Sequence, residues 1–123
     1  MANQALTATS STKPGDGFTV YKLAWLSDDG AGTVSLPFTL RSGRLSQVKT
    51  VPSATAVPTN LYDLTILDSD SADILQGDGA DLSSTVAAWS AQTNEPYLEG
   101  GTYTFTIAAA GNAKGGIVYL YVR

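Results

Sequence analysis

The feature that most constrains this 123-residue chain is its rhythm: apolar residues recur at every second position in short runs, and Gly, Pro, Asp and Asn separate the runs. That spacing puts alternate side chains on opposite faces of an extended strand, whereas a helix repeats near every 3.6 residues. The segment TVSLPFTL (33–40) is the plainest case, with Val34, Leu36, Phe38 and Leu40 on one face and Thr33, Ser35, Pro37 and Thr39 on the other. Pro37 has no N–H to give a ladder, which places this strand at a sheet edge or a bulge. In RLSQVKTV (44–51) the alternation slips near Ser46 and Gln47, the signature of a bulge. LYDLTILD (61–68) sets Tyr62, Leu64 and Ile66 on one face against Asp63 and Thr65.

Two strands carry bulky groups on both faces. FTVYKLAWL (18–26) reads as a strand covered on both sides, and IVYLYV (117–122) as one running through the middle of a sheet. TYTFTIA (102–108) precedes the latter across the turn Gly111 to Gly116, so the pair reads as a terminal hairpin. LSSTVAAWSAQTNEPYL (82–98) suits helix and strand equally, since Val86 and Trp89 stand three apart while Thr85 and Val86 are β-branched. Residues 1–17 contain one large aliphatic side chain beyond Met1, Leu6, among Ser, Thr and Gly, which predicts an extended arm. The fold class expected is therefore all-β: a single-domain β-sandwich or Greek-key, jelly-roll-like barrel over 18–123, with an N-terminal arm at 1–17.

The chain has no His and no Cys. That removes Ser-His-Asp and Cys-His nucleophile systems, and with them the usual ligands of zinc, copper and haem. Only an oxygen-ligand site for calcium or magnesium stays open. The acidic run Asp68 to Asp81 invites that reading, but it departs from an EF-hand, with Ala72 at the fifth position and Gly79 where the bidentate acid belongs. Asp is also an ordinary turn residue that satisfies its own backbone. Glu95 and Glu99 are acids of the type glycoside hydrolysis uses, yet nothing in their spacing selects a pair. Hence no catalytic residue, cofactor or metal ligand is predicted. Seven Lys and Arg against eleven Asp and Glu give a formal charge of −4, with the cations scattered along the chain, so a phosphate backbone is not an expected partner. No signal peptide or membrane-spanning run is recognised, and the expectation is synthesis in the cytoplasm.

What remains is surface. Aromatic side chains anchor protein interfaces and also stack on sugars. Core packing claims Tyr62, Tyr103 and Tyr119 on the strand pattern, while Trp89 and Tyr97 lie in the irregular segment and are the better contact candidates. With Leu6, Lys13 and Pro14 of the arm they make up the candidate partner interface.

SGRLSQVKTVPSATAVPTNLYDLTILDSDSADILQG (42–77) and the ending AGNAKGGIVYLYVR (110–123) resemble small structural proteins from the virion gene clusters of tailed bacteriophages. Proteins of this look are similar to capsid decoration, or cement, proteins. The resemblance implies a place on the outer capsid surface, the major capsid protein as partner, and a homo-oligomer, trimer ahead of dimer. A tail or baseplate component has the same look, and a carbohydrate-binding β-sandwich is the reading from another class.

Overall fold

A computed structural model describes residues 4–12, 15, 17–92 and 95–123. Among these described residues nine strands form: β1 (Ala5–Thr12), β2 (Thr19–Leu26), β3 (Val34–Leu40), β4 (Gly43–Pro52), β5 (Asp63–Leu67), β6 (Ala88–Ala91), β7 (Tyr97–Leu98), β8 (Gly101–Ala108) and β9 (Gly115–Val122). The larger sheet runs β1-β2-β9-β4-β6, with β7 also on β4, and the smaller runs β3-β8-β5, every pair being antiparallel. The two sheets pack face to face, the all-β sandwich that the spacing predicts.

The core is the set of inward positions. Leu23 and Trp25 of β2, Leu45 and Val48 of β4, and Val118, Leu120 and Val122 of β9 face Val34, Phe38 and Leu40 of β3, Leu64 and Ile66 of β5, and Tyr103, Phe105 and Ile107 of β8. Pro37 does lie in an edge strand, β3. The slip in β4 is a bulge, where the register to β9 jumps between Leu45 and Gln47. It lets Leu45 and Val48, three residues apart, both point inward.

Three readings change and one open alternative is resolved. First, β8 and β9 are not a hairpin: β8 lies between β3 and β5, while β9 lies between β2 and β4 in the other sheet. Periodicity assigns a side chain to a face, but not a strand to a sheet. The intervening loop crosses between layers, with Ala109, Gly111 and Ala113 in the left-handed region. Second, Ala5–Thr12 is a strand rather than an arm, paired with β2 along its whole length. Its β-branched threonines suit an extended backbone, and Leu6 packs partly buried against the core opposite Trp25. Third, of the two alternatives for 82–98 the described residues take the strand one, with a Ser83-centred turn followed by β6 and β7. Fourth, only one face of β2 is covered, since Lys22 and Leu26 are exposed on the other.

The acidic run is structural. It lies along the free edge of β5, where Leu64 N–H donates to Gly79 O at 2.7 Å and Ile74 N–H to Ile66 O at 2.8 Å. Asp73 holds the turn, its Oδ1 accepting from Ile66 and Leu75 N–H at 3.1 and 3.0 Å, and its Oδ2 from Gly77 N–H at 3.1 Å. Asp68 Oδ1 likewise accepts from Asp70 and Ala72 N–H, at 2.9 and 3.0 Å. A carboxylate so engaged replaces missing backbone partners.

Asp28 performs the same service at the β2–β3 turn. Its Oδ1 accepts from Ala31 N–H, and from Gly30 and Gly32 N–H at 3.0 Å, holding its carboxyl below the usual carboxylate range despite the opposing effect of burial.

Tyr62 stands 5.6 Å from Trp25, ring centre to ring centre, and burial pushes its phenol up to about 12. Because the folded value lies above the unfolded one near 10, its contribution to stability is intact below about pH 10 and is lost as pH rises toward about 12. Absorbance at the phenolate band should show one tyrosine ionising only with unfolding. Titration of all the tyrosines below about pH 11, with the fold intact, would contradict this packing.

Candidate protein-docking face

The outward positions of the larger sheet form a surface that nothing in the described chain covers. Register fixes its composition. Lys49 lies opposite Tyr119 on one side and Trp89 on the other, Gln47 lies opposite Tyr121 and Ala91, and Val51 opposite Ile117. On the other flank β2 adds Val20 and Lys22, opposite Tyr121 and Tyr119. The inward residues of β9 are aliphatic, so its two tyrosines are left for the exterior.

The rings touch in a chain. Trp89 and Tyr121 are 5.4 Å apart between centres at 40°, and Phe18 meets Tyr121 edge-on at 6.4 Å. Lys49 Nζ lies 5.0 Å from the Trp89 ring centre and 5.8 Å from that of Tyr119. Both are cation–π distances, and they hold the ammonium over the face. A trough of about 300 Å³ runs beside it between Thr9, Ser11, Val20, Lys22, Tyr119 and Tyr121. At the far end Arg123 stacks on Phe18 at 5.8 Å and pairs with Glu95, Nε to Oε1 at 2.8 Å. That bond is the main cause of the lowered Glu95 carboxyl, and the same pairing raises Arg123.

Charge is sorted by sheet. Strands β1, β2, β4, β6 and β9 contain no Asp or Glu, and β3, β5 and β8 contain no Lys or Arg. The sorting is visible in the chain itself, since residues 50–113 lack any Lys or Arg and hold eight of the eleven acids. A reading for clusters of cations passes over this, because the signal is where cations stop.

Of the residues singled out from sequence, Trp89 lies on this face and is 57% exposed. Tyr97 is 67% exposed, but at a separate recess of about 290 Å³ beside Asp68, Asp70, Glu99 and Tyr103. Leu6 packs partly buried against the core, and Lys13 and Pro14 lie outside the described residues. Tyr119, read as core, points outward and is half-buried, whereas Tyr62 and Tyr103 are buried. Sequence reasoning missed Lys49, Tyr119 and Tyr121, which strand periodicity alone puts on one face only when the pairing of β4 with β9 is known.

Among the described residues no group of three His, Cys, Asp or Glu is placed to hold a metal ion. Chemically, the face offers flat apolar area, hydroxyls and two lysine ammonium groups, the means of contact. No protein-family model matches the chain, and no curated protein matches it.

Proposed function

We propose that this protein is a structural component of a tailed-phage virion that works by adhesion: a decoration or cement protein seated on the outer capsid surface, in contact with the major capsid protein and with other copies of itself, and without enzymatic activity. The observation that carries the reading is the uncovered row Phe18–Tyr121–Trp89 with Lys49 held over it. An apolar strip of this kind costs solubility unless a partner covers it, and Trp and Tyr are the usual anchors of such contacts. The resemblance of 42–77 and 110–123 to virion proteins supplies the setting. Many copies on a lattice turn modest single contacts into strong retention.

The carbohydrate-binding alternative draws on the trough between Thr9, Lys22 and the two tyrosines, where hydroxyls adjoin rings. Against it, Lys49 already occupies the space over the rings of Trp89 and Tyr119 on which a sugar would stack.

The test is a Trp89→Ala, Tyr121→Ala double variant supplied to particles lacking the native protein. Each lost anchor costs about 2 kcal/mol, or roughly thirtyfold in affinity. Occupancy on purified particles should collapse, and the particles should lose DNA on mild heating as they do with no protein at all. Full occupancy by a folded double variant would refute the docking face. Absence of the protein from purified heads, with presence in tails, would move it to the tail or baseplate.

A further inference from the structure

We propose that the lysine-bearing face of the larger sheet docks onto a second copy of this chain, receiving that copy's acidic recess beside Tyr97. The inference rests on the adhesive reading above and names one partner for the same face.

Charge complementarity selects the occupant. The face presents Lys22 and Lys49 on strands that hold no carboxylate, although the chain as a whole is acidic. Its complement is on the same molecule. The recess of about 290 Å³ is walled by Asp68, Asp70, Glu99, Thr102 and Tyr103 with Tyr97 at its side, and contains no cation. Its negative character reaches the Tyr103 phenol, which is raised by burial first and then by the charges of Asp68 and Glu99.

The two most exposed aromatic residues divide between the halves, Trp89 beside Lys49 and Tyr97 beside the carboxylates. Docking therefore brings an ammonium to carboxylates and a ring to a ring in one step. Complementary charge of this kind chiefly sets which surfaces meet, and the buried rings hold them.

The geometry also limits the symmetry. The lysines point away from the smaller sheet, whereas the recess lies where the segment after β5 and the start of β8 meet Tyr97 of β7. Different patches on differently directed surfaces meet, so the contact is head-to-tail rather than two-fold.

Sedimentation velocity of the purified full chain tests this at about 50 mM and about 500 mM salt, where screening differs severalfold in range. The native chain should associate at low salt and dissociate about tenfold more readily at high salt. Lys49→Glu and Asp70→Lys, both at surface positions, should each weaken association at least about tenfold, and a one-to-one mixture should restore it. A native chain that stays monomeric at low salt, an assembly that Lys49→Glu leaves intact, or a mixture that fails to recover would overturn the proposal. The outcomes separate from those above: a monomer whose particle occupancy still depends on Trp89 removes this contact alone, while a salt-sensitive oligomer absent from particles removes the virion role alone.

Discussion

Deletion of residues 118–123 is expected to leave a chain that does not fold. The segment contributes Val118, Leu120 and Val122, all fully buried, and it is the strand to which both β2 and β4 pair. Burial of each such side chain is worth about 1.5–3 kcal/mol. Three of them, before any ladder hydrogen bond is considered, approach the whole stability of a typical domain, about 5–15 kcal/mol. Removal also divides the larger sheet into β1-β2 and β4-β6 fragments with nothing between them. Removal of β1 is a different matter, because one side chain, Leu6, packs on the core and β2 keeps β9, so the loss should be on the order of 2 kcal/mol. Circular dichroism and a thermal melt distinguish the two deletions directly. A cooperative transition in the C-terminally shortened chain would show that the central place of β9 is misjudged.

Gly79→Ala should be the most damaging of the glycine-to-alanine substitutions among the described residues. A Cβ at this position falls 2.1 Å from the carbonyl oxygen of Leu64 and 3.0 Å from its carbon, both of them backbone atoms that no rotamer change can move. Relief requires the acidic segment to lift from β5, breaking the 2.7 Å bond from Leu64 N–H to Gly79 O and loosening Leu75 and Leu82, which are buried beneath it. Overpacking of this severity costs about 3 kcal/mol, a drop in melting temperature on the order of 10 °C for a domain of this size. Gly77→Ala, in the same segment, meets no atom within 4 Å of the added carbon and has only its left-handed backbone to strain, so it should cost about 1 kcal/mol. Equal melting temperatures for the two variants would refute the close approach of the segment to β5.

How much of this was legible in the sequence follows from what strand periodicity encodes. It fixes which residues share a face, so the inward sets Val34, Phe38, Leu40 and Tyr62, Leu64, Ile66 are readable directly, as is the break in rhythm that becomes the β4 bulge. It is silent on pairing. TYTFTIA and IVYLYV have the look of hairpin partners because the turn between them is short and glycine-rich, yet each completes a different sheet. The docking face was hidden for the same reason: Lys49, Trp89, Tyr119 and Tyr121 come from three strands whose adjacency the chain order conceals. Trp89 itself was accessible to reasoning, since an aromatic residue in an irregular stretch has no strand face waiting to bury it. The arm was misread because Ser and Thr runs are equally at home in solvent and in a border strand, and hydropathy does not tell the two apart.

The strands at the borders of the two sheets are guarded unequally. Pro37 interrupts β3, the carboxylate-rich segment lies over β5, and β6 is only four residues long. Strand β1 offers eight residues, ALTATSST, without proline or charge. Such a border invites sideways growth by unrelated extended chains. Concentrated preparations should therefore thicken into fibrillar aggregates from that side first, and a single lysine placed at the exposed Thr7, opposite Ala24, would be the economical way to keep the protein in solution.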